Sequence, residues 1–103
     1  MFGWLTKASA NAQRKNISRT LSLLVTAASA ADRRITQTGN TNQQDVAEIT
    51  SLQRSLLGDL VGPVPLADLR NEFLDPLLGD PATSEGVKMA VRHVFDTAEQ
   101  RSR

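Results

Sequence analysis

The residues that could run a reaction are few and scattered. His93 is the only histidine and the chain has no cysteine. A zinc or iron site draws on several His or Cys ligands, and an acyl-transfer centre needs a base beside its nucleophile. His93 stands between Arg92 and Val94 with neither arrangement around it. No H-E-x-x-H, G-x-S-x-G, S-x-x-K or phosphate-binding glycine loop occurs. A surface histidine is therefore expected. Asp45, Glu48, Asp68 and Glu72 could in principle form an acid–base pair. They fall at helix starts or on the polar side of helical stripes, where a carboxylate favours the positive helix end or solvates a face. The expectation is a protein that is not an enzyme, with no metal, no cofactor and no small-molecule substrate.

Net charge is +1 but unevenly spread. Residues 1–44 carry six Lys or Arg against Asp32 alone, or +5; residues 45–86 carry two Arg against eight acids, or −6. The last seventeen residues return to +2. Lys7, Arg14, Lys15, Arg19, Arg33 and Arg34 could track phosphates. They spread over more than one side of a helix, with few aromatics among them. The turn Gly62-Pro63-Val64-Pro65 between two helices resembles a helix-turn-helix, but the would-be reading helix sets Asp68, Glu72 and Asp75 against Arg70 and would repel DNA. Anion or nucleic-acid contact through Lys7, Arg14, Lys15 and Arg19 is the alternative reading. The plain meaning of the split is that oppositely charged helices complement one another within one bundle.

Two of the four aromatics, Phe2 and Trp4, stand in the first four residues with Leu5 beside them. At roughly 100° per residue, a helix continued backward from Ile17 carries Trp4, Leu5, Ala8 and Ala12 roughly 120° or more away from the core stripe. Either the chain breaks near Gln13–Asn16 and folds back, or Phe2, Trp4, Leu5, Ala8 and Ala12 face a protein partner or a second protomer. A lipid surface is the third reading, since Trp and Phe beside Lys and Arg also suit one.

The elements that position these residues are helical throughout. Ile17, Leu21, Leu24, Ala28, Ala31 and Ile35 recur in a strict 4-3-4-3-4 spacing, with Val25 widening the stripe. That spacing predicts a long first helix over 16–36, preceded by an N-terminal arm or helix extension over 1–15. The small residues of Ala27–Ala31 let a neighbouring backbone approach closely. Thr36–Asn42 is polar and reads as a loop, with Asn42 as the next cap.

A second helix over 43–61 buries Val46, Ile49, Leu52, Leu56, Leu57 and Leu60. Gly58 weakens its last turn, and Gly62–Pro65 stops it. Pro65 opens a third helix over 65–78, with Leu66, Leu69, Phe73 and Leu74 on one face. Pro76 should end or kink it near Asp75. Asp80-Pro81 reads as the cap and first position of a fourth helix over 81–100, whose stripe is Val87, Ala90, Val91, Val94 and Ala98 with Phe95 beside it.

The chain thus reads as one helical domain over 1–103, all-α, a compact four-helix bundle with a long first helix. Its 40% hydrophobic content supports a packed core of Leu, Val, Ile and Ala. No stretch is long and apolar enough to span a bilayer. Arg14, Lys15 and Arg19 followed by Leu21–Ala28 and Ala28-Ser29-Ala30 imitate a signal peptide. The heptad spacing, however, runs on past that supposed cleavage point to Ile35, so a cytoplasmic location is expected. The function that follows is a protein-interaction or assembly module, homo-oligomeric or bound to a protein partner.

Overall fold

The computed structural model describes the backbone of residues 3–102 and the side chains of residues 9–102. Helix α1, Gly3–Thr38, is 36 residues long. At 1.5 Å per residue that is about 54 Å, which accounts for the 57 Å long axis of the molecule. It runs through Gln13–Asn16 without interruption; the alternative of an arm that breaks there and folds back is ruled out. No glycine or proline falls between Trp4 and Thr38, so nothing local stops propagation. Ile17, Leu24, Ala28 and Ala31 are buried along one face. Gly39 ends the helix at φ +74°, its N–H donating to the Ile35 carbonyl at 2.7 Å. Only glycine takes that left-handed cap without a Cβ penalty.

Helix α2, Gln43–Asp59, is capped as its sequence suggests: the Asn42 carboxamide oxygen accepts from the Gln44 N–H at 2.8 Å. It runs antiparallel to α1, since Arg34 near the end of α1 meets Asp45 in its first turn and Thr20 meets Asp59 in its last. It stops two residues before the expected end, because Leu60 already closes the last turn on the Leu56 carbonyl and Gly62 follows.

Helix α3 consists of three consecutive pieces, Leu66–Leu69, Arg70–Leu74 and Asp75–Leu78, of which the middle one is a π turn. Here Pro76 does not end the helix. In regular α geometry its ring would press on the carbonyl four residues back. Widening the preceding turn by one residue, with the Asp75 N–H reaching back to the Arg70 carbonyl, lets the chain pass the proline still helical.

Helix α4, Glu85–Arg101, starts four residues later than the Asp80-Pro81 pair suggests. The Asp80 carboxylate is used instead inside a turn, accepting from the Ala82 N–H and the Thr83 hydroxyl. Ser84 is the true cap, its hydroxyl accepting from the Val87 N–H at 3.3 Å. The same hydroxyl donates to the Asp32 carboxylate on α1, and a Cβ on Gly86 would come within 2.5 Å of that carboxylate. Asp32 therefore sits against the positive end of α4, at a distance that only a glycine allows.

The four helices run up, down, up, down, an all-α bundle with a long first helix. Ile17, Leu24, Leu56, Leu69, Leu74, Val91, Val94 and Phe95 form the centre of the core, with Leu21, Leu52 and Phe73 packed against it. Phe95, placed by spacing at the edge of its stripe, is fully buried. Two expected core residues are not in the core. Ile35 is 41% exposed and Val46 49% exposed, because both lie at the end of the bundle where the α1–α2 pair outruns its covering helices. None of the helices, among the described residues, is long and apolar enough to cross a membrane.

A candidate interaction groove at the closed end of α2

The turn between α2 and α3 is held from outside, by a residue of α1. Gln13 is buried at 7% exposure. Its carboxamide nitrogen donates to the Asp59 carbonyl at 3.1 Å, and its oxygen accepts from the Val64 N–H at 3.0 Å. One side chain thus satisfies a carbonyl left over at the end of α2 and a buried N–H of the following turn, both of which would otherwise be orphaned. Thr20 donates to the Asp59 carboxylate two turns further along α1. With the turn pinned on this side, Val64 points into the core and is 5% exposed, while Val61 is left 81% exposed on the other.

That other side is an open groove of about 750 Å³ between the end of α2, the Gly62–Pro65 turn, the start of α3 and the end of α4. Its floor is apolar: Leu57, Leu60, Val61, Val64, Leu66 and Ala98. Gly58 widens it, since nothing lies within 4 Å of where its Cβ would stand. A shallower extension continues between α2 and α4 past Thr50, Gln53, His93, Val94 and Thr97, and shares Arg54, Leu57 and Arg101 with the main groove. The hydroxyls of Thr97 and Ser102 donate to carbonyls of their own helix, His93 and Glu99 respectively. The ionisable side chains on the whole surface are Arg54, His93 and Arg101. An apolar floor with a cationic rim can bind; among the described residues it presents no carboxylate for general acid or base work. Among the described residues no group of three or more His, Cys, Asp or Glu gathers as metal ligands would.

The residues singled out from sequence lie elsewhere. Phe2 lies outside the described residues, as do the side chains of Trp4, Leu5, Lys7 and Ala8; Ala12 is exposed on α1. Lys15 and Arg19 are exposed as well. Arg14 is not a spare cation: it grips Glu72 of α3 in a bidentate pair, Nε–Oε2 at 2.9 Å and Nη2–Oε1 at 3.0 Å. That hydrogen bonding holds the Glu72 carboxyl below its usual range and raises Arg14 above its own. Arg34 is likewise committed to Asp45, at 2.8 and 2.7 Å. Asp45, which the sequence placed on a solvated helix start, is buried at 7% exposure, and the hydrogen bond from Arg34 holds its pKa low despite the opposing desolvation. Arg70 bridges to Asp96 and Glu99. Two of these pairs therefore join a base of the +5 block to an acid of the −6 block, as complementary helices should, while the Arg70 pairs run the other way, from a base of the −6 block to acids of the +2 block.

The groove was missed in the sequence for a definable reason. Its floor residues belong to the same stripes that fill the core, and spacing does not say which end of a stripe stays open. One signal was present. Within the −6 block of residues 45–86 there are just two bases, Arg54 and Arg70; Arg70 is used in the fold, and Arg54 makes no ion pair among the described residues. No protein-family model matches the chain, and no characterised protein or solved structure matches it.

Proposed function

We propose that this protein is a non-enzymatic helical interaction module that takes an apolar segment of a protein partner into the groove at the end of α2. The observation that carries this is the groove floor itself: Val61 at 81% exposure, continuous with the half-buried Leu57 and Leu66, on a face rimmed by polar groups. Apolar surface gathered in one concave patch is where contact gains most, at about 25 cal/mol for each square ångström removed from water. The test is a methyl-resolved NMR titration with a panel of amphipathic helical peptides of about 15 residues. Shifts clustered on Leu57, Leu60, Val61, Val64 and Leu66 with any member support the reading. Flat spectra with every peptide, together with a monomeric mass by light scattering, would overturn it.

A second contact is supported by α1. Because the helix continues unbroken past Gln13, the register of Trp4, Leu5, Ala8 and Ala12 stays roughly 120° or more from that of Ile17. Ala12, the described member of that set, is exposed. A second protomer or a partner helix alongside this projecting end of α1 makes the protein an assembly module as well as a docking one.

A further inference from the structure

We propose that the partner segment is an acidic amphipathic helix, its apolar stripe on the groove floor and its carboxylates on Arg54 and Arg101. This rests on the interaction reading above and adds the chemistry of the partner. The length of the seam comes first. Lining residues on α2 extend from Thr50 to Gly58, about 12 Å at 1.5 Å per residue, or a little over two turns of a docked helix. Leu60 and Val61, just past the end of α2, prolong the seam. Leu57 on α2 is followed four residues later by Val61 in the turn after it, and Val94 and Ala98 are one turn apart on α4. A partner with anchors at i, i+3 or i+4 and i+7 meets such a floor along its whole length. The groove is open to solvent along that seam. A small ligand, which needs most of its surface enclosed, is poorly held there, whereas a docked helix leaves its outer half in water anyway.

Charge then selects the kind of helix. Arg54 stands on the α2 wall and Arg101 on the α4 wall, and each lines both parts of the groove. Arg14, Arg34 and Arg70 all make ion pairs within the fold, while Arg54 and Arg101 make none among the described residues. The acids nearest in sequence turn the other way: Asp59 accepts from Thr20 of α1, and Asp96 and Glu99 meet Arg70 of α3. Among the described residues no carboxylate lines the groove to neutralise its rim. A second copy of this chain fits less well. Its most acidic helix, α3, turns Leu69 and Leu74 fully into the core and packs Leu66, Phe73, Leu77 and Leu78 against it, so its large apolar side chains are already engaged within their own bundle.

The experiment uses the full chain and three labelled peptides that share one apolar stripe and differ only in polar faces of Glu, Gln or Lys. Fluorescence anisotropy should rank them Glu, Gln, Lys, with about a tenfold tighter Kd for Glu than for Gln at low salt and a smaller gap as salt screens the pairs. Arg54→Gln with Arg101→Gln should bring the Glu peptide to the affinity of the Gln peptide and leave the Gln peptide unchanged. Both positions lie on the surface, so the double variant should keep its melting point, which a thermal scan verifies. Equal affinity for all three peptides would overturn the acidic partner while leaving the interaction reading intact. No binding by any of them would remove the groove as a docking site altogether. Preferential binding of anionic phosphatidylglycerol vesicles or of duplex DNA through the same two arginines, with no preference for the Glu peptide, would also overturn the proposal.

Discussion

Gln13 and Gly62 pack so tightly that a Cβ at position 62 would stand 2.6 Å from the Gln13 carboxamide carbon. The two residues are 49 apart in sequence, and their contact fixes where the α2–α3 turn lies. A side chain at 62 has room only if Gln13 swings away and gives up its bonds to Asp59 and Val64. Gln13→Ala should cost about 1–3 kcal/mol for the buried groups left unpaired, and Gly62→Ala a similar amount by the same route. The double variant should then cost less than the two added together. Strict additivity in denaturant melts would mean that Gly62 is held by something other than Gln13.

Acid should weaken the fold through two pairs. Asp45 and Glu72 are held below their ordinary pKa by Arg34 and Arg14. Their stabilising effect is full above the unfolded-state values of about 3.9 and 4.3. It is lost as pH falls through that range toward the lower folded-state values. The melting point should therefore hold down to about pH 5 and fall as the pH drops below it. Asp45→Asn with Glu72→Gln should lower it at neutral pH and flatten the acid limb. An acid limb unchanged in that variant would place the pH dependence elsewhere.

The core and the ends of the stripes should respond differently to truncation. Leu24, with no exposed surface, should lose about 2–5 kcal/mol as Leu24→Ala. Ile35→Ser and Val46→Ser, at the open end of the bundle, should stay within about 0.5 kcal/mol of the parent. Chemical denaturation of the three variants checks both, and a small effect at Leu24 would misplace the central helix.

Near the N-terminus, Phe2→Ala combined with Trp4→Ala should leave the melting point nearly unchanged while oligomer mass or partner capture falls. Loss of stability with association intact would show that these residues serve the fold instead.

Nucleic-acid affinity should be weak. Arg14 is committed to Glu72 and Arg34 to Asp45, which leaves few of the N-terminal cations to neutralise phosphates together. Random duplex DNA should bind with a Kd above about 1 μM at about 150 mM salt. A tighter Kd with a steep salt slope would make nucleic acid the better reading.

What could be read from the sequence alone was what local physics decides. Periodic apolar residues specify helices and their inner faces, so Ile17, Leu24, Leu56, Leu69, Val91 and Val94 were legible as core. Asn42 was legible as a cap and Pro65 as the opening of α3 to within one residue, because both act on their own few neighbours; Pro65 is the cap before Leu66 rather than the first helical position. Even local signals failed where two of them competed: Asp80-Pro81 and Ser84 could each open a helix. The contact of Ser84 and Gly86 with Asp32, 52 and 54 residues away, favoured the later start. The π turn before Pro76 likewise keeps a packed helix continuous where local propensity favours a break. Tertiary structure alone decided which polar residues are buried and which apolar ones are not. Gln13 and Asp45 carry no hydrophobic signal, and each is buried because a distant partner satisfies it. Val61 belongs to an apolar run and is exposed because the bundle ends there, with no further helix to cover it. Periodicity describes one helix at a time, while a groove is the space several helices leave between them.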